Sequence, residues 1–307
     1  MGVVLTTAAI VGAVAVGVLS ERRWPRGAAT AARRALTLIL YVLIPPVVFF
    51  NLAAAELDLD HGVGLLLGLL SVSLAALLAW WVATRILDLP RHQTGAVICS
   101  VLAINSAYLG YPLTIALLGH DELSTAVLFD VLVCAPSLLL GAFAVGAAFG
   151  RSAGESTGER VRAFFTRNPP LYAAIAGLLA PAALAPDIAV DISQGLVIAI
   201  LPVGFFAVGA TLAENAEHGE LPMPPPLSRP VALAIVSRLA VAPGLLILFA
   251  LPLVDLPAAY MLIASMPTGI NSMVVAHAYD LDMEITAEAV TWSTAIVVLA
   301  ALASLLF

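Results

Sequence analysis

The sequence predicts an all-α integral membrane protein of ten transmembrane helices, organised as two inverted five-helix repeats with the fourth and ninth helices interrupted. Three observations carry that prediction. The 307 residues are 62% hydrophobic and only 11% charged, with a mean hydropathy of +1.05. Apolar runs long enough to cross a bilayer recur from end to end, and the arginines alternate between the loops that join them. Two of the runs carry Pro, Gly and Asn together near their middle, in corresponding places of the two halves. A soluble domain averages about 25% charged residues, and so few charges cannot coat a globule of this length. The composition therefore excludes a soluble enzyme, a nucleic-acid binder and a disordered chain.

A helix crosses the hydrocarbon core in about 20 residues. Runs of that kind lie at 3–20, 35–55, 62–84, 94–118, 123–149, 169–186, 192–213, 230–253, 257–279 and 285–306. Each is expected to be helical, because lipid offers no partner to an unpaired backbone group. Alternating-strand barrel segments are absent. The first run has no basic segment before it, and Arg22 and Arg23 follow it, the reverse of a cleaved leader. It reads as a retained first helix. All 13 basic residues are arginine. Twelve of them fall in the odd-numbered loops: Arg22, Arg23, Arg26, Arg33 and Arg34; Arg85 and Arg91; Arg151, Arg160, Arg162 and Arg167; Arg229. The even-numbered loops hold none. Basic loops stay on the cytoplasmic side, so both termini are expected outside the cytoplasm of a multi-pass protein of the cell (inner) membrane.

The middle loop divides the chain into a first five-helix repeat (1–149), a cytoplasmic linker (150–168) and a second repeat (169–307) within one integral membrane domain. Five helices per half is an odd number, so the second half enters the membrane upside down. Weak internal matches agree. Pro46-Val-Val-Phe-Phe50 in the second run parallels Pro202-Val-Gly-Phe-Phe206 in the seventh, and Asn105-Ser106 in the fourth parallels Asn271-Ser272 in the ninth. Inverted repeats of this kind are typical of secondary transporters.

The fourth run contains Asn105-Ser-Ala-Tyr-Leu-Gly-Tyr-Pro112 and the ninth Met266-Pro-Thr-Gly-Ile-Asn-Ser-Met273. Proline lacks an N–H and clashes with the preceding turn, and glycine loosens the helix further. Such breaks are tolerated at mid-membrane depth only inside protein or beside water. Each creates a half-helix N-terminus carrying roughly half a positive charge, and two of these facing one another suit an anion. Asn105, Ser106, Pro112, Pro267, Gly269, Ile270, Asn271 and Ser272 are the candidate substrate-binding residues. The bland alternative is a pair of proline kinks, with the asparagines serving helix packing. The serine hydroxyls either bind an ion or satisfy the broken backbone, and Tyr108 and Tyr111 either line a cavity or pack. Pro136, Pro181 and Pro243 read as simple kinks.

An ionisable side chain within a span is costly and marks function by default. Asp130 lies in the fifth run and Arg238 in the eighth. They form a structural salt bridge, or serve coupling and substrate neutralisation, or snorkel to the interface. His277 follows the ninth-run break and suits either proton coupling or a local hydrogen bond. Glu56, Asp58 and Asp60 read as a solvated outer loop, as do Asp280, Asp282 and Glu284 at the other face. Cys99 and Cys134 read as small core residues rather than a disulfide or metal pair. No cofactor or metal site, nucleotide-binding loop, H-E-x-x-H zinc site or G-x-S-x-G elbow is present in the sequence.

The stretch N-S-A-Y-L-G-Y-P resembles the fourth-helix motif of the auxin efflux carrier family, and P-T-G-I-N-S-M-V-V-A-H-A-Y-D resembles its ninth-helix motif. Asn168-Pro-Pro-Leu-Tyr172 is similar to the family's start of helix six, and Leu43-Ile-Pro-Pro46 to its second-helix proline. The resemblance covers the whole chain in order. It implies a ten-helix, sodium/proton antiporter-like fold, with helices four and nine crossing as broken helices at a site for an organic anion. The implied site residues are Asn105, Pro112, Pro267 and Gly269; Asn271 rests on the internal symmetry. The central loop is shorter than in plant members. Where some members have an acidic–lysine pair, only Asp60 is available and no lysine exists. A small mono- or dicarboxylate is therefore expected ahead of auxin, carried by a secondary transporter working by alternating access. The alternative is a sodium-coupled symporter of the bile-acid type. The lipid bilayer and the carboxylate are the expected partners, without nucleic acid; a homodimer is compatible with the sequence.

Overall fold

The computed structural model of the chain describes residues 3–53, 62–154, 156–214 and 226–304. Among them the architecture is helical, and the one β-type pairing is a single isolated bridge. Thirteen helical segments organise it. In the first half they are α1 (Val3–Arg23), α2 (25–53), α3 (Gly62–Arg85), α4 (Arg91–Leu102), α5 (106–117) and α6 (123–149). A linker helix, α7 (Thr157–Thr166), follows. The second half holds α8 (Pro169–Leu179), α9 (Asp187–Glu214), α10 (229–250), α11 (Ala258–Ala264), α12 (Asn271–Tyr279) and α13 (Met283–Ser304). Among the described residues five stretches are long and apolar enough to cross a membrane: Arg26–Phe50, Gly62–Arg85, Thr125–Phe149, Arg229–Ala250 and Met283–Ala303. Pro169–Leu179 and Pro202–Glu214 are shorter apolar helices.

Several local expectations change. The second run was expected to begin at residue 35, but α2 reaches back to Pro25, whose fixed φ suits the first helical position. Pro181 does not kink a helix: α8 ends at Leu179, and a short 3₁₀ turn, Ala182–Leu184, follows. The linker is not all loop. Ser156 accepts from the Glu159 N–H while Glu159 reaches back to the Ser156 N–H, a reciprocal cap that starts α7. Glu56, Asp58 and Asp60 lie outside the described residues.

Four prolines within helices share a local solution, whereas Pro202 lies inside α9 without it. Proline removes one helical hydrogen bond and presses on the carbonyl four residues earlier. Here a wide π turn precedes it, starting six residues before: Ile39 before Pro45, Ser106 before Pro112, Asp130 before Pro136, Ser237 before Pro243. Such turns widen the helix and often occur at functional sites. They place Ser106, Asp130 and Arg238 in non-α backbone.

The helices pack in two groups. In the first, α1 lies along α9 and α2 along α8. Both crossings are made close by glycine. A Cβ on Gly17 of α1 would strike the Phe206 carbonyl and come within 2.8 Å of the Ala210 nitrogen; one on Gly177 of α8 would come within 2.6 Å of the Phe49 carbonyl. In lipid, helices associate through such small-residue contacts rather than by expelling water. The second group comprises α3 to α6 and α10 to α13. Its α3 turns Gly64, Gly68, Ser71, Ala75, Ala76, Ala79 and Ala83 inward, and the Phe129 ring packs on Gly68. At one end of the bundle the loops interlock: Arg91 donates to the Ala148 carbonyl, Arg151 meets His92 at 2.6 Å, and Arg167 donates to the Ala278 carbonyl.

Candidate functional site: the crossing of two interrupted helices

α4 ends at Leu102, and Ala103 turns into extended backbone (φ −86°, ψ 101°). On the opposite strand α11 ends at Ala264 and the chain runs non-helically to Asn271. The two extended pieces meet antiparallel, with Ile104 bridged to Thr268. The Asn105 N–H donates to the Pro267 carbonyl at 2.9 Å and the Gly269 N–H to the Ala103 carbonyl at 2.7 Å. Backbone that leaves a helix inside lipid needs other partners, and here each break supplies them to the other. Gly269 permits the approach: its Cβ would sit 3.0 Å from the Ile104 carbonyl and 3.2 Å from the Asn105 nitrogen. Thr268, fully buried, donates its N–H to Ser293 Oγ at 3.1 Å and its hydroxyl to the Ser100 carbonyl at 2.8 Å.

Arg238 closes one side of this arrangement. Its side chain, 1% exposed, donates through Nη1 to the Val101 carbonyl at 3.2 Å and through Nη2 to the Ala264 carbonyl. These carbonyls belong to the last turns of α4 and α11, where helix dipoles place negative charge. One guanidinium thus serves both C-terminal ends. The opposite ends are the N-termini of α5 and α12, beginning at Ser106 and Asn271.

The carboxamide of Asn105 lies beside the first turn of α5. The residue is 1% exposed, yet neither its Nδ2 nor its Oδ1 has a hydrogen-bond partner. Across the crossing the Asn271 Oδ1 is likewise buried and unpartnered. A buried polar group left unpaired costs about 1–3 kcal/mol, so these amides are the strained element of the crossing.

The other expected site residues fall as follows. Ser106 donates to Asp130 Oδ1 at 2.5 Å, and Tyr111 donates to Oδ2 at 2.5 Å. The Ser272 hydroxyl donates back to the Gly269 carbonyl at 2.8 Å, at the start of α12. Ile270, fully buried, packs on Gly204 of α9, so it joins the crossing to the first helix group. Pro267 and Gly269 lie in the bridged segment. Pro112 does not lie at the break; it sits just beyond the wide turn Ser106–Gly110, at the start of the α-helical part of α5, Tyr111–Leu117. Asp130 and Arg238 form no ion pair with each other, because hydroxyls occupy the carboxylate and carbonyls the guanidinium. His277 is apart from both and meets Thr37 of α2 at 3.1 Å. Cys99 and Cys134 are buried free thiols. Thr268 and Ser293 were not anticipated; the available signal was a hydroxyl in mid-run beside a proline–glycine break. Among the described residues no group of three or more His, Cys, Asp or Glu could hold a metal ion.

A surface groove of about 670 Å³ runs along α2 beside Val203, lined among others by Arg26, Thr30, Arg34 and Leu38. None of its lining residues belongs to the crossing of the two interrupted segments.

A bundle of apolar helices built round two interrupted segments that hydrogen-bond each other is the architecture of an integral membrane transporter. Comparison with known families agrees: the model of the membrane transport protein family matches residues 3–149 and 161–304. The chain belongs to this family, that of the auxin efflux carriers. It is accordingly a membrane transporter, of a family of transporters and not of enzymes, and a multi-pass integral membrane protein. No curated protein matches the chain closely enough to be named as a relative.

Proposed function

We propose that this protein is a secondary active transporter of a small organic anion, a mono- or dicarboxylate, bound where the two interrupted helices cross and released by alternating access. The observation that carries this reading is the Asn105 carboxamide, 1% exposed and without a partner on either atom. Its Nδ2 offers two N–H donors beside the N-terminus of α5, a combination that suits a carboxylate without burying a full positive charge. Arg238 compensates the two C-terminal dipole ends, which leaves the positive ends to dominate the crossing. Asn271 offers a second amide from the other half.

The same reading takes the chain as ten spans in two inverted repeats, with both termini outside the cytoplasm of the cell membrane. The paired glycine crossings support it: Gly17 on Phe206 in one group contact and Gly177 on Phe49 in the other exchange the two halves. The interlocking of Arg91, Arg151 and Arg167 at one end supports the orientation.

Thermal-shift measurement on purified protein against a panel of mono- and dicarboxylates, followed by uptake into proteoliposomes, tests the function. A bound anion raises the apparent Tm, and Asn105→Ala and Asn271→Ala remove that rise while folding normally. Unchanged anion binding in both variants excludes the crossing as the site. Uptake with and without a sodium gradient separates this reading from sodium-coupled symport.

A further inference from the structure

Asp130 shares the N-terminal turn of α5 with the proposed anion site, and on that shared position rests a second assignment. Ser106, the residue next to Asn105, donates to one carboxylate oxygen of Asp130, and Tyr111 of the same helix donates to the other, each at 2.5 Å. Among the described residues no cation pairs with this carboxylate. The groups facing it are Tyr111 from α5 and Cys134 from the next turn of α6. Arg238 of α10 gives its guanidinium to the Val101 and Ala264 carbonyls, Tyr260 of α11 packs on the neighbouring Phe129, and α3 presents Gly68 beside Phe129 and Val133. An anion arriving at Asn105 therefore meets an uncompensated negative charge bound to the same helix end.

We propose that Asp130 is the coupling group of this transporter: it takes up one proton from solution when a carboxylate occupies the crossing, so that anion and proton move together. The inference rests on the anion site proposed above. The step is a simple protonation. A solvent proton adds to Asp130 Oδ1 and forms an O–H; the carboxylate loses its charge, and no other bond breaks. Ser106 is then no longer required to donate to that oxygen. It accepts from the new O–H instead, and its own hydrogen turns toward the guest at Asn105. Two like charges disfavour each other, and linkage is reciprocal. Protonation at Asp130 tightens anion binding, and anion binding draws the proton by the same factor.

Calorimetric titration of purified protein with benzoate and with lactate, both fully ionised from about pH 6 to about pH 9, decides the matter. Repeating each titration in phosphate and in Tris, buffers of different ionisation enthalpy, counts protons exchanged on binding. The expected result is net proton uptake, at most one per anion, with affinity falling by up to about tenfold per pH unit where the uptake is complete. Asp130→Asn, close in shape, is expected to bind both probes with no uptake and no pH slope, and Asp130→Glu to retain the uptake. An infrared difference spectrum of the wild-type protein gives an independent reading, a gain of protonated-carboxyl absorption on adding benzoate, that needs no variant to fold. Binding with equal heats in both buffers, or uptake that persists in Asp130→Asn, overturns this assignment and leaves the anion site standing. A protein that binds neither probe removes both.

Discussion

The main-chain N–H of Asn105 donates to the carbonyl of Pro267 at 2.9 Å, a bond that joins residues far apart in sequence at the centre of the bundle. It makes the two interruptions one structural unit. Neither segment could abandon its helix in lipid alone, since each would leave main-chain groups unpaired at a cost of several kcal/mol. The bridge also leaves the side chain of Asn105 beside the helix end without assigning it a partner.

The role of Arg238 yields the first prediction. Arg238→Met keeps bulk but strips the donors from the Val101 and Ala264 carbonyls, each of which then costs about 1–3 kcal/mol to leave unpaired. A marked loss of thermal stability in detergent is expected. Arg238→Lys should recover part of it, because a point charge on a flexible stem reaches one carbonyl but lacks the fork that spans two. Equal stability of wild type and Arg238→Met would show that the two helix ends do not need the guanidinium.

The glycine crossings predict a contrast between two substitutions on one helix. Gly17→Ala drives a methyl into the backbone of α9 near Phe206 and Ala210 and is expected to cost about 1–3 kcal/mol. Gly12→Ala meets nothing within 4 Å and is expected to be neutral or slightly stabilising. Unfolding midpoints of the two variants check the pair, and similar losses in both would mean that α1 does not approach α9 as described.

A pH dependence is expected at the loop cluster. His92 lies outside the membrane-spanning part of α4, and its imidazole is held below the usual value of 6.5 by burial first and by the Arg151 guanidinium second, against weaker opposing pulls from Asp282 and Asp280. The unfolded chain therefore binds this proton more readily than the folded one. The His92 contribution to stability is intact above about pH 7 and falls as pH drops through the ordinary imidazole range. Tm measured from about pH 8 to about pH 5 should drop less steeply in His92→Gln than in wild type. Parallel curves would remove the histidine from the effect.

Much of this architecture was readable beforehand, because it follows from local chemistry. An uncharged run of about 20 residues has one low-energy backbone in lipid, and a Pro–Gly–Asn cluster within it has to interrupt that backbone somewhere. The interruption of the fourth run was less readable than that of the ninth. Pro112 sits beyond the stretch where the helix widens, Ser106–Gly110, and the extended piece lies earlier still, at Ala103 to Asn105. The proline effect reaches back through a π turn, so the residue that breaks the pattern and the backbone that leaves the helix are several positions apart. Asp130 and Arg238 stood out as charges within apolar runs, and pairing them was the natural expectation. The fold gives them to different partners, since α6 turns Asp130 to the hydroxyls of α5 while α10 carries Arg238 to two carbonyl ends.

Composition and order alone thus account for the class of molecule, the approximate limits of its apolar helices and the two stretches where the ninth and fourth runs yield. Those properties depend on each residue's own preference for lipid, for a helix or for a bend. Which carbonyl answers the Asn105 N–H, why Thr268 and Ser293 matter, and which helix ends share one guanidinium came from packing. Such contacts join positions more than a hundred residues apart or on separate helices, and their geometry exists once close approaches such as Gly17 on α9 and Gly269 on Ile104 have brought those helices together.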